Sequence, residues 1–396
     1  MILSVGDRFD WSYRHTALLL CILSYLGIRF TQLVISPLVL DIVAAFGTTR
    51  TAIGTALTGM WAAYALAQLP SGFLTDRFDG RRVVLVSLVV TGASGVLAAI
   101  APTFLLFGSA VVLLGIGAGL YYNAATALLT RLFEGYGAAI GTHRIGSQLA
   151  GVAAPIAAVA LAVQFGWRWG MILGGLVPLG VLGGFALVIR SPQSSERVGT
   201  AAVNPDILVA IIRRPAIAFT TGLAVLGEFT ALATMAFLPA FLQEFHGFST
   251  GAAGRLFAGY SAMVGLAGPI SGAVSDRLGR QLTIIGTMLA GVTGYGLLTG
   301  FRGLPIVLVG TACLGIAMSW IPPIQSRIMD LLDAGERGVG FGAVRTIYIL
   351  LGSVGTTVVG TATDQVGWGV GFGLLGLLHG IAATSLLVNR YFGLEL

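Results

Sequence analysis

Composition, apolar run length and an internal repeat together point to an all-α membrane protein with twelve transmembrane helices in two pseudo-symmetric six-helix halves. Of 396 residues, 56% are hydrophobic and only 10% are charged, which lies outside soluble globular domains and fits a chain whose solvent is a bilayer. Twelve apolar runs reach the roughly 20 residues needed to cross a hydrocarbon core of about 30 Å. The polar stretch Ser71 to Arg82 (SGFLTDRFDGRR) nearly recurs 200 positions later as Ser271 to Gln281 (SGAVSDRLGRQ).

The runs fall at 16–43, 51–72, 83–101, 104–129, 137–163, 169–189, 215–245, 251–274, 283–300, 305–329, 341–363 and 369–389, numbered below as spans 1 to 12. They are apolar on every side and too long for barrel strands, which would alternate over about 10 residues. The repeat extends beyond its polar centre, through Gly54/Gly254 and Gly59/Gly259 upstream and Gly115/Gly315 downstream. Residues 1–189 and 215–396 are therefore the expected halves, and 190–214, rich in Pro, Ser and charge, is the expected linker. Met1 to His15 is polar and precedes a run too long for a signal-peptide core, so no cleaved signal is expected there. Cys21 and Cys313 fall inside spans and read as small apolar packing residues.

The net charge of +6 comes from 22 basic residues, all arginine. If both termini are cytoplasmic, fifteen of them lie on that side, against Arg50, Arg168, Arg255 and Arg302 on the other. The bias predicts that orientation in a plasma membrane and calls for no nucleic-acid partner.

In chain order, span 1 carries Tyr25, Arg29 and Gln32 ahead of Pro37. At 1.5 Å per residue Arg29 lies about 20 Å in, near mid-bilayer, where a charge costs about 2.5–3.5 kcal/mol and must meet a cavity or a partner. Span 2 brings Tyr64 and Gln68. Span 4 contains GIGAGLYYNAAT, Gly115 to Thr126. No strand precedes these glycines, so they read as a close-packing face and not as a dinucleotide loop. Tyr121, Tyr122 and Asn123 follow, and span 10 places Trp320 and Gln325 at matching depth, as if on a shared cavity wall. Spans 5 and 11 repeat at an offset of 201, through Gly137/Gly338, Arg144/Arg345 and Gly151/Gly352. Span 7 carries Glu228, the one acid deep in an apolar run, with Arg29 as its expected partner.

These motifs resemble the major facilitator superfamily, and the resemblance covers the whole chain. The pattern G-x-x-x-D-R-x-G-R fits the second copy as Gly272, Asp276, Arg277, Gly279 and Arg280. In the first copy Asp79 intrudes before Gly80. The resemblance implies two pseudo-symmetric six-helix bundles, with spans 1, 4, 7 and 10 lining a central site that opens alternately to each side. It also implies a gate in which Asp76 meets Arg345 and, by symmetry, Asp276 meets Arg144, with substrate contact as the lesser role of these arginines. The span 4 arginine of proton-coupled members is absent, with Val111 in its place. The span 5 signature of drug antiporters is reduced to Ala154-Pro155.

The function expected is secondary transport of a small organic anion, coupled to protons as symport. Arg29 would hold the anion, Tyr25, Gln32, Tyr122, Asn123 and Trp320 would shape its site, and Glu228 would carry the proton. The alternative is a proton-antiport exporter of lipophilic drugs or lipids. A membrane enzyme is not expected, because the sequence shows no paired intramembrane carboxylates, no metal-spaced His/Cys cluster and no Ser/His nucleophile pattern. No cofactor or metal is expected beyond the proton. The protein is expected to act as a monomer within the lipid bilayer.

Overall fold

The structure is a computed structural model and describes residues 13–134, 136–190, 205–394 and 396. The expectations placed on residues 1–12, including Arg8, and on the linker at 191–204, including Arg197, lie outside the described residues. The described chain is helical almost throughout. Among the described residues, eleven helices are long and apolar enough to cross a membrane: Tyr13–Phe46, Gly80–Ile100, Phe104–Leu132, Tyr136–Phe165, Trp167–Val188, Pro215–Glu244, Thr250–Leu278, Arg280–Gly300, Leu304–Leu331, Arg337–Val366 and Trp368–Phe392. Arg50–Phe78, at 29 residues, is the remaining span. Local chemistry sets many of the ends. The side chains of Thr49, Thr103 and Ser249 accept the first free backbone N–H groups of spans 2, 4 and 8, supplying partners that lipid cannot.

The halves repeat in detail. Asp79 stands in the register of Gly279, and both take positive φ, 81° and 92°. It is therefore a substitution in the first copy of the motif and not an insertion. An L-residue rarely adopts this conformation, and the nearest cation to the buried Asp79 carboxylate is Arg131, 3.8 Å away. The span 4 glycines pack closely, as the run suggests: a Cβ on Gly119 would lie 2.5 Å from the Tyr64 carbonyl oxygen.

Four spans are interrupted. Span 1 passes through a 3₁₀ turn at Ser36–Leu38, around Pro37, and span 10 through another at Met318–Trp320, just before Pro322 and Pro323, which lack the N–H a regular helix uses. Span 5 breaks at Arg144 and span 11 at Ser353. The end of the linker is a short helix, Pro205–Ile212, whose Ile211 is buried near Gly340. Arg214 then makes a two-pronged bond to Glu336 at 2.8 and 2.6 Å, which holds that carboxyl below its ordinary range.

The two bundles meet at the face that carries Arg50. Its guanidinium bonds Glu244 of span 7 and Asp364 of span 11 and lies over the Trp368 ring. Asp364 in turn accepts from the backbone N–H and hydroxyl of Thr51, each at 2.8 Å, so it caps span 2 from across the bundle interface. Thr58 continues the seam with bonds to Ser353, Thr356 and Thr357. At the opposite face Asp76, Arg77 and Asp276 are exposed. The molecule is thus closed at the Arg50 face, and it is taken as open at the Asp76 face because Arg144, which lines the space between the bundles, is exposed there.

Replacing Asp364 by Asn removes charge-assisted bonds worth about 1–2 kcal/mol at this partly exposed site. In a background lacking Cys21 and Cys313, a cysteine at Met235 should then react about 5–30 times faster with a membrane-impermeant thiol reagent added at the Arg50 face. An unchanged rate would show that the Arg50 cluster does not hold the seam.

Candidate functional site

Between the bundles lies a cavity of about 240 Å³. Its walls follow the internal repeat. Span 5 contributes Arg144, Ser147 and Gln148, and span 11 contributes Arg345, Tyr348 and Ile349, the same three positions at an offset of 201. Each set is spaced i, i+3, i+4 and so shares one helix face. Trp61 and Tyr64 of span 2 answer Ser261 and Val264 of span 8 at an offset of 200. Span 1 supplies Tyr25, Arg29 and Leu33, span 7 supplies Glu228, Ala231, Leu232 and Met235, and span 10 supplies Met318, Ile321 and Gln325.

Neutral groups hold the deep charges. Arg29 donates to the Gln32 side-chain oxygen at 2.8 Å and lies 5.3 Å from the Trp61 ring centre, while its buried Nε has no partner. Arg345 donates to the Gln68 side-chain oxygen across the bundle interface at 2.5 Å and sits 5.5 Å from the Tyr122 ring centre. The Tyr64 and Tyr348 hydroxyls also lie against Arg345, so that both guanidinium groups are held by neutral groups that leave their charge in place. Arg144 lines the cavity and is exposed towards the open face. Glu228 is the sole carboxylate among the described lining residues. Among the described residues it makes no ion pair within 4.0 Å, and the cations that act on it are Arg345 and Arg29. The direct Arg29–Glu228 pair expected from sequence is therefore absent.

The expected binding residues separate into two layers. Tyr25 and Arg29 line the cavity; Gln32, Tyr122, Asn123 and Trp320 do not. Gln32 is turned to Arg29, Tyr122 lies behind the Arg345 guanidinium, and Asn123 donates to the Gln68 backbone carbonyl at 2.9 Å. Trp320 is fully buried, its indole packed on Gly227 behind Glu228 and edge-on to Tyr348. Span 4 likewise contributes no lining residue, contrary to the four-helix lining that family resemblance implies. Tyr121 donates to the Cys21 carbonyl at 2.5 Å, and the Tyr25 ring stacks on Tyr121 and His143 at 5.5 and 4.9 Å. These rings stand between span 4 and the cavity.

The expected gate pairs are not formed here either. Asp276 bonds Arg280, four residues along its own loop, and Arg345 is held at Gln68, eight residues or about 12 Å along span 2 from Asp76. Arg144 and Arg345 both face the cavity instead. Trp61, Ser147, Tyr260, Ser261 and Tyr348 were not singled out in the sequence, although the i, i+3, i+4 spacing about each paired arginine points to Ser147 and Tyr348.

Two six-helix bundles enclosing a polar cavity that opens to one side define a membrane carrier. The Major Facilitator Superfamily profile matches residues 18–356 and 217–395. The chain belongs to that family. It is 26% identical over 419 residues to the multidrug resistance protein B homolog of Mycobacterium tuberculosis, covering 90% of this chain and 77% of that protein. It is 24% identical over 409 residues to the probable sulfoacetate transporter SauU of Cupriavidus necator, covering 95% and 94%. A bacterial homolog of the human lysosomal transporter Spinster, in an inward-facing, unoccupied conformation, superposes with a TM-score of 0.80 at 18% identity, over 98% of this chain and 99% of that one.

Gly352 seats Glu228, since a Cβ there would lie 2.7 Å from the Glu228 Cβ and 2.9 Å from the Phe229 backbone nitrogen. Gly352→Ala should push span 11 off span 7 and cost about 1–3 kcal/mol. The check is a fall of several degrees in the melting temperature of the purified protein; an unchanged value would mean that the two helices separate freely at this point.

Proposed function

We propose that this carrier moves a small organic anion by alternating access, with Glu228 taking up the coupled proton in symport. The observation that carries the reading is the charge of the cavity. Its described lining has three guanidinium groups, Arg29, Arg144 and Arg345, against one carboxylate, and Arg29 and Arg345 are held by neutral amide, aromatic and hydroxyl groups. Positive charge left uncompensated in a low-dielectric interior is costly, and an anion removes that cost. An anion at Arg29 and Arg345 also cancels the field those cations exert on Glu228, so that substrate and proton load together. The arginine bias supports placing the open Asp76 face and both termini in the cytoplasm.

The alternative, export of lipophilic compounds, is favoured by the aromatic wall of Tyr25, Trp61, Tyr64, Tyr260 and Tyr348 and by the multidrug relative. The sulfoacetate relative favours the anion. So does the volume: about 240 Å³ is below the roughly 300–1,000 Å³ of drug-sized pockets.

In proteoliposomes, an imposed inward proton gradient should drive uptake of the anion. Glu228→Gln should keep anion binding but lose the response to the gradient, and Arg29→Gln or Arg345→Gln should weaken binding by about tenfold or more. Uptake by Glu228→Gln that stays fully gradient-driven would remove Glu228 from the coupling step. Binding of lipophilic cations in place of anions would favour the alternative.

A further inference from the structure

The positive charge of the cavity is greater than one anionic group can match. With Glu228 ionised, the described lining carries a net charge of +2, and with Glu228 protonated it carries +3. A monoanion leaves +1 in the first state and +2 in the second, the proton-loaded one, whereas a dianion leaves the first neutral and the second at +1. We propose, as a refinement resting on the anion reading above, that the substrate is a small dianion whose second anionic group is taken by Arg144.

Three features of the site point to Arg144 as the second subsite. It occupies the position in span 5 that Arg345 occupies in span 11, with Ser147 and Gln148 answering Tyr348 and Ile349, so the pseudo-symmetric walls present one guanidinium from each bundle to the same space. Arg345 is already fixed by Gln68 and Tyr122, and Arg29 by Gln32 and Trp61, whereas the Arg144 side chain has no hydrogen-bond or ion-pair partner among the described residues. Arg144 also stands at the break between Tyr136–His143 and Ile145–Phe165, beside the open end of the cavity. Arg144 is exposed where the Arg29 Nε is buried, so that a molecule entering the cavity can reach it directly. A dianion bridging Arg144 and Arg345 would tie one bundle to the other, which is the step that closure of the Asp76 face requires, and a monoanion could hold only one end.

The test compares binding of three- to five-carbon dicarboxylates with that of their monomethyl esters, at a pH where both acid groups are ionised, by calorimetry on the purified full-length protein. The dianion should bind at least about tenfold more tightly than its ester in one or more pairs. Arg144→Gln should bring that ratio close to one, and Arg144→Lys should keep most of it. An ester that matches its diacid in every pair that binds, or a ratio that survives Arg144→Gln, overturns the dianion assignment and leaves the anion reading standing. Failure of the whole panel to bind would overturn both. A Gln variant that does not fold would be recognised by its melting curve, and the Lys variant together with the wild-type ratio then decides.

Discussion

Two guanidinium groups inside the membrane-spanning region, held by neutral amide, aromatic and hydroxyl groups, govern how the two bundles can pack. A charge placed there is tolerated only beside water, a counter-ion or protein dipoles. Gln32 and Trp61 at Arg29, and Gln68 and Tyr122 at Arg345, supply dipoles and leave the charge in place. The space between the bundles therefore stays polar. The seam that shuts it, from Arg50 to Thr58, is built at one face from ionic and hydroxyl contacts that can be broken and remade in water.

The internal repeat explains both the likeness of the two walls and the places where they differ. Spans 5 and 11 keep an arginine at the same turn, but spans 1 and 7 do not: Arg29 lines the first and Glu228 the second. That inversion puts a cation on one bundle and an acid on the other, and the proposed coupling of one solute to one proton rests on it. A second departure is aromatic. Stacking of Tyr25 on Tyr121 and His143 fills the front of span 4, while span 10 reaches the cavity through Met318, Ile321 and Gln325. The binding space is consequently offset from the symmetry that built it.

The sequence made some of this legible and concealed the rest for physical reasons. Apolar run length revealed the spans, the polar motif revealed the duplication, and depth along a helix picked out Arg29, Arg144, Glu228 and Arg345, because rise per residue is constant. Direction around a helix was not legible, since it depends on which neighbours pack against it. Gln32, Tyr122, Asn123 and Trp320 thus lie on cavity-forming spans or beside them but outside the lining. The Asp76–Arg345 and Asp276–Arg144 pairs follow from family resemblance, and this conformation, open at that face, does not form them. The Arg50 cluster went unseen because its members lie at the ends of four different spans, with no local pattern to join them.

The anion proposed for the cavity would lie between the arginines of the two bundles. This placement is tested most directly by determining the structure of the protein with a small organic dicarboxylate bound. Density for the ligand should lie between Arg345 and Arg29, with one carboxylate in contact with the guanidinium groups and Glu228 within the same space. A cavity left empty at saturating ligand, or ligand found against the aromatic wall with both guanidinium groups still turned to Gln32 and Gln68, would contradict it.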